Sequence, residues 1–279
     1  MALKIPVVDR VATYPGRVEL TPVAGMQNTY DLTRADSPIN EGTPINKELF
    51  DNKAYTLTSD VTVYVSTSGS DEDGDGSADA PFKTIQKAVD EIPKCLGGFV
   101  ATIDIASGVY NERVNIFGFS GGRLVLGVSG RTATVRGLNI QESSVVDIKI
   151  TNVTWATGFS GALLYVAYGS TVVQGGPVTI SGGGSSETGL GVIYGSTYSV
   201  NGSNTTVSGC GGTAIKATVG SRISLYNAVG SNNTSDGLVA EGGGMLTYNT
   251  SSLTSTKGNI ARTGGRILAG SAVAPSSVE

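Results

Sequence analysis

Residues 121–127 read GGRLVLG and residues 264–270 read GGRILAG. Two nearly identical heptads so far apart imply a repeat, and the stretch between them supplies it. A glycine or serine precedes a short apolar run at Gly122, Ser144, Gly169, Gly195, Gly220, Gly244 and Gly265, spaced 21–26 residues apart. The runs that follow are RLVLG, VVDIKI, STVVQ, STYSV, SRISL, MLTYN and RILAG. No helical period interrupts them. A glycine-turned, all-β period near two dozen residues suits one coil of a right-handed parallel β-helix, each coil laying its strands on the previous one at about 4.8 Å. Leucine-rich repeats need a regular LxxLxL ladder and propellers need four strands in about 40–45 residues. Neither pattern is present. The expected core is columns of inward Val, Ile and Leu, with Ser, Thr and Asn facing water.

Composition agrees. Glycine stands at 40 of 279 residues, well above the usual share, while aliphatic residues remain plentiful between the glycines. Only 15% of residues are charged and the net charge is −4, which gives no basic face for nucleic acid. No stretch reaches the roughly 20 apolar residues of a membrane helix, and MALKIPVVDR has no apolar signal core. Synthesis in the cytoplasm without Sec export is the expectation. There is no histidine, so Ser-His-Asp and Cys-His mechanisms are excluded. Cys95 and Cys210 lie in no ligand motif and are read as buried thiols.

Upstream of the repeat, VTVYVST alternates Val61, Val63 and Val65 as a strand. The acidic loop GSDEDGDGSADAP follows. Ile85, Ala88, Val89 and Ile92 then recur at helical spacing and Pro93 ends the run, predicting a helix over 84–92 that caps the open first coil. Two strands, VATIDIA and ERVNIFG, are expected on either side of a turn SGVYN. Nearer the N-terminus, RVELTPV and NTYDLT form a hairpin about Gly25. Thr43-Pro44 starts a short helix over 44–53. The domains so read are a short mixed segment over 1–58, the β-helix over 59–270 and a loose tail over 271–279.

Two stretches carry a resemblance. VYVSTSGSDEDGDGSADAPFKTIQKAVDEIP followed by IDIASGVYNERVNI, above all Pro81–Ala88 and Gly108–Glu112, resembles the N-terminal cap and first coils of pectin-lyase-like β-helix proteins. That family holds lyases, esterases, hydrolases and non-enzymes, so it implies the fold and leaves activity open. DLTRADSPINEGTPINKELFDNKA is similar to a segment of phage and prophage tail proteins. The resemblance implies a virion tail component, usually a homotrimer. Its first segment would attach to other tail or baseplate proteins, and its β-helix would face the host and contact a cell-surface glycan.

From Val128 to Gly270 the only acids are Glu142, Asp147, Glu187, Asp236 and Glu241. Glu187 and Asp236 fall at similar phase two coils apart, hence about 10 Å, near the upper limit for an inverting glycosidase pair. The preferred reading is two solvated turn carboxylates. Asp71, Asp73, Asp75 and Asp79 alternate like the start of a calcium loop, but Phe82 stands where a later acidic ligand belongs, and a solvated entry turn is preferred. Tyr168 and Tyr194 directly precede phase glycines, with Trp155 upstream, and should stack on neighbouring coils. Exposed, such a ladder grips sugar rings; filling the core or a subunit interface is the preferred alternative. Arg123 and Arg266 are read as outward and solvated. No catalytic set, metal-ligand set or cofactor is assigned. The function expected is a non-enzymatic tail appendage that binds host glycan, the alternatives being a polysaccharide depolymerase and a ligand-free spacer.

Overall fold

The computed structural model describes residues 11–12, 18–22, 30–34, 38–40, 56–154, 161–183, 187–261, 263–269 and 277–278. The chain divides into two compact units, residues 2–54 and 55–279 with Met1. In the first, Val18–Pro22 pairs antiparallel with Tyr30–Arg34, which is the hairpin the sequence predicts. Val11–Ala12 pairs antiparallel with Pro38–Asn40, a contact with no local sequence signal. The expected helix over 44–53 and the turn at Gly25 lie outside the described residues.

The second unit is a parallel β-helix. Every pairing between its named strands is parallel and joins one coil to the next. Each full coil contributes to three faces. The first face stacks Arg123–Leu126, Val146–Ile148, Thr171–Gln174, Thr197–Val200 and the starts of Arg222–Asn233 and Met245–Ser255, ending at Arg266–Ala269. These are the seven runs read from the sequence. Their register aligns Leu124, Val146, Val172, Tyr198, Ile223, Leu246 and Ile267 into one buried column. The third face aligns Leu138, Leu164, Leu190, Ile215 and Leu238 likewise. Fully burying such a side chain contributes about 1.5–3 kcal/mol, so these columns dominate the energetics of each coil.

The turn from third to first face explains the heptad LYVAYGS (164–170) and its equivalents LGVIYGS (190–196), IKATVGS (215–221) and LVAEGGG (238–244). The two residues at its centre both have positive φ: Tyr168/Gly169 at 54° and 72°, Tyr194/Gly195 at 53° and 70°, Val219/Gly220 at 52° and 71°. Ser170 N donates to Ala167 O at 3.3 Å, closing a type I′ turn. The register corrects the phase read from the sequence. Residues level with Gly122, Ser144, Gly244 and Gly265 are Ser170, Ser196 and Ser221, one place after Gly169, Gly195 and Gly220. Glycine marks the left-handed backbone; the small residue after it enters the strand. These serines are buried and bonded. Ser170 Oγ donates to Ala167 O at 2.7 Å and accepts from Ser143 N, and Ser196 Oγ accepts from Ser170 N.

The first coil is closed from two sides. The free edge of strand Val61–Val65 is covered by the acidic loop, since Tyr64 N donates to Gly76 O, Ser66 N to Phe82 O and Phe82 N to Tyr64 O. The helix Ile85–Glu91, with Ile85, Ala88 and Val89 buried, covers the next edge. Its Gln86 side chain pairs reciprocally with the backbone of Asn115. The expected turn at SGVYN is instead part of one strand, Gly108–Phe117, whose register shifts between Tyr110 and Arg113. That bulge re-aims Glu112, which accepts from Ile85 N and Gln86 N at 2.8 and 2.9 Å. Of the two thiols, Cys210 is buried, and burial pushes it up to about 11. Cys95 is exposed, a correction to the sequence reading: its backbone bridges Thr56 and Ser120 while the side chain faces out. Within the expected loose tail, Ser277–Val278 pairs in parallel with Ile260–Ala261.

Candidate functional site

The third face and the turn that follows it carry the most distinctive surface of the second unit. Tyr168 and Tyr194 occupy equivalent turn positions on successive coils. Their rings stack with centroids 4.9 Å apart and planes inclined by 13°. The stacking is as the sequence predicts, but the rings do not fill the core: they are 49% and 46% exposed. Val219 follows in the next coil, 50% exposed. Because the turn backbone is fixed by coil-to-coil hydrogen bonds (Gly169 N to Tyr194 O, Gly195 N to Val219 O), the ridge is held in place before any ligand arrives.

Beside the ridge lies a groove of about 330 Å³, lined among others by Ala162, Tyr165, Glu187, Gly191, Lys216 and Thr218. It arises from register. Tyr165, Gly191 and Lys216 follow one another on successive strands of the face. Glycine at the middle position leaves a gap between the larger neighbours. A Cβ there would lie 3.0 Å from Ala162 Cβ and 3.9 Å from the Tyr165 ring. Arg113 reaches from an earlier coil to donate to Ala162 O at 3.2 Å, fixing one wall. Lys216 Nζ pairs with Glu241 Oε1 of the next coil at 2.5 Å. Burial, then the neighbouring Tyr168 and Tyr194, pushes the Tyr165 phenol above its ordinary value, so it stays a neutral hydrogen-bond donor. None of Tyr165, Gly191, Lys216 or Glu241 was singled out from the sequence as part of a site. The signal was present in the aligned heptads, where the second letter reads Tyr, Gly, Lys, Val.

The two candidate carboxylates are not a facing pair. Leu190, Ile215 and Leu238 are level, which sets Glu187 level with Gly212 and Ser235 and puts Asp236 one position further on. Glu187 lines the groove, whereas Asp236 is buried at 8% exposure, its Oδ1 with no partner. The reading of two solvated turn carboxylates is therefore corrected for Asp236.

The acidic loop uses its carboxylates for its own structure. Asp71 Oδ1 accepts from Lys83 N and Thr84 N, and Oδ2 from Thr84 Oγ1. Burial raises the Asp71 carboxyl, but the bonds from Thr84 and Lys83 outweigh it and hold the group below its ordinary value. Asp75 accepts from Ser77 N and Asp73 from the Ser70 hydroxyl, while Asp79 is exposed. Among the described residues no three such groups converge as a metal site. Arg266 is exposed, and Arg123, half-exposed, lies 3.8 Å from Asp147. Trp155 lies outside the described residues. Comparison with known protein families, curated proteins and solved structures gave no match. Fold and surface define the chain as a parallel β-helix with an aromatic ridge and a groove on one face.

Proposed function

We propose that this chain is a non-enzymatic, host-facing component of a phage or prophage tail, and that its β-helix holds a cell-surface glycan. The observation that carries the binding part is the stacked, half-exposed Tyr168–Tyr194 pair. A side-chain-bearing residue in left-handed backbone costs about 1–2 kcal/mol. Gly242 fills the same turn position three coils after Tyr168, at φ 56° and without that cost. Tyrosine kept at strained, exposed positions is what a sugar-stacking surface requires, since rings of this kind cover the apolar faces of sugars. The tail assignment rests on the resemblance of Asp36–Lys47 to tail-protein segments and on the position of that segment ahead of a β-helix. A virion location, a homotrimer and attachment through residues 1–58 belong to the same proposal. Glu187 lines the groove while Asp236 is buried and does not, so the two carboxylates share no cleft, which favours binding over hydrolysis.

The test uses the purified full chain and cells of the bacterium whose phage or prophage encodes it. It should adsorb to intact cells and compete with phage adsorption without releasing oligosaccharide. The double variant Tyr168→Gly/Tyr194→Gly should keep the fold and lose adsorption. Full adsorption by that variant overturns the binding proposal, and release of oligosaccharide by the wild type overturns its non-enzymatic part.

A further inference from the structure

We infer that the aromatic stack binds a terminal or branch sugar at its Val219 end, with the free face of Tyr194 as platform and Val219 as floor, and that the rest of the glycan leaves outward instead of lying along the ridge. The inference rests on the glycan-binding proposal and deepens it by naming the class of sugar and the residue beneath it. The stack itself imposes this. Sugars lay their apolar faces on aromatic rings. In a pair 4.9 Å apart and inclined by 13°, each ring covers one face of the other, so the ridge presents ring edges along its length. The two free faces lie at the ends, that of Tyr168 toward the coil of Glu142 and that of Tyr194 toward the coil of Val219.

The two ends differ. Glu142, Tyr168, Tyr194, Val219 and Gly242 occupy one turn position in successive coils, all with φ between 52° and 56°. From Tyr194 onward the side chains shorten from ring to valine to none. Valine reaches less far from the backbone than tyrosine, so the outer part of the Tyr194 face stands clear above it, and ring and valine are each about half-exposed. Gly242 adds no side chain on the far side, where a Cβ would lie 3.4 Å from Val219 N and 3.6 Å from Thr218 Oγ1. The result is a step with an aromatic wall, an aliphatic floor and the Thr218 hydroxyl beside it to meet a sugar hydroxyl. At the other end the longer, exposed Glu142 side chain starts from the floor position and competes for the space over Tyr168.

Val219 is a sharper anomaly than the tyrosines. A β-branched residue at φ 52° is a genuine outlier, and Gly242 in the next coil forms the same turn without one. Strain of this kind collects at functional sites. Here it holds an apolar surface beside the ring. The orientation of the platform then selects the sugar. The stack runs from coil to coil, so the ring faces stand across the coil axis. A sugar laid on Tyr194 also stands across the axis, with one edge against Val219 and the opposite edge toward water. An interior residue of a glycan carries linkages on both sides of its ring, and one of them would run into the floor. A terminal or branch residue carries a single linkage and turns it outward.

The experiment cleaves surface polysaccharide from the same host cells by mild acid and separates the products from disaccharide to hexasaccharide. Binding to the full chain is measured by isothermal titration calorimetry. Fragments that bind should have dissociation constants within about threefold of one another, because one sugar makes the contact; a chain laid along the ridge would gain about tenfold or more with length. Tyr194→Gly should weaken binding about tenfold or more. Tyr168→Gly should stay within about threefold of wild type, because it leaves the Val219-facing side of Tyr194 in place. Val219→Asn, which suits left-handed backbone, should weaken binding about fivefold while its urea midpoint equals or exceeds that of wild type. A valine that merely packs the stack would cost stability instead. Affinity that climbs about tenfold from disaccharide to hexasaccharide, equal losses in Tyr168→Gly and Tyr194→Gly, or unchanged binding by folded Val219→Asn overturns the inference. If one of these occurs while Tyr168→Gly/Tyr194→Gly abolishes binding, the end-of-stack site fails and the glycan-binding proposal stands. If wild type binds neither the fragments nor the intact polysaccharide, both fail.

Discussion

Replacing Gln174 with alanine probes how the β-helix tolerates a polar residue in an aliphatic column. Gln174 is level with Ile148 in one neighbouring coil and Val200 in the next, and it is fully buried. All four hydrogen-bonding positions of its amide are used. Oε1 accepts from Tyr198 Oη at 2.7 Å and from Thr205 Oγ1 at 2.8 Å; Nε2 donates to Gly176 O at 2.8 Å and Asn204 O at 2.9 Å. Tyr198 and Thr205 are themselves completely buried, and burial keeps the Tyr198 phenol protonated by pushing it far above its ordinary value. Truncation strands two buried hydroxyls and opens a cavity. Each stranded group costs about 1–3 kcal/mol and the lost side chain adds to that, for a total on the order of 4 kcal/mol. Tyr198→Phe removes one donor and leaves Oε1 satisfied by Thr205, which costs about 1 kcal/mol. The triple variant Gln174→Leu/Tyr198→Phe/Thr205→Val removes every side-chain partner at once. It should be less destabilised than Gln174→Ala alone, because no buried side-chain polar group is stranded. Urea unfolding followed by circular dichroism measures all three. Gln174→Ala within 1 kcal/mol of wild type, or a triple variant worse than Gln174→Ala, refutes the reasoning.

Three further outcomes follow from the packing of the coils. Gly230→Ala should prevent folding of the later coils, because a Cβ there would collide with the backbone carbonyl of Val207; a folded, soluble Gly230→Ala with a wild-type melt would contradict the register. The two carboxylates at the helix start should give opposite pH dependence. Burial raises the Glu112 carboxyl above its ordinary 4.5, more than the amides of Gln86 and Ile85 lower it. Its contribution is therefore present at low pH and lost as pH rises through its folded value, and Glu112→Gln should flatten the stability curve on that side. Asp71, held low by Thr84 and Lys83, contributes above its ordinary 3.8 and loses that contribution as pH falls. Asp71→Asn should flatten the acid limb, as read from melting temperatures in a series of buffers. Finally, Tyr168→Gly and Tyr194→Gly relieve left-handed strain and should each leave stability within about 1 kcal/mol of wild type, or above it, measured by the same unfolding assay. A loss well beyond that would assign the rings to the packing of the coil.

The coil was legible in the sequence because stacking converts sequence period directly into column. Leu124, Val146, Val172, Tyr198, Ile223, Leu246 and Ile267 recur at nearly even spacing, and each is buried against the next. The phase slipped by one in the middle coils for a physical reason. Glycine recurs where backbone must be left-handed, whereas hydrogen-bond register is kept by the residue that enters the strand, and in YGS these are neighbours. Exposure was less legible. Tyr168 and Tyr194 pass equally well for core by residue type, and only the turn geometry turns them outward. Asp236 shows the converse, an acid whose burial nothing in its own segment announces. The groove was hidden more deeply still, because it belongs to no single segment: Tyr165, Gly191 and Lys216 meet only across three coils, and Glu241 neutralises Lys216 from a fourth. In a β-helix the core is written along the chain, while a site on its surface is written across it. A site residue must therefore be sought at equal positions in successive heptads, where a lone glycine between two long side chains marks an opening.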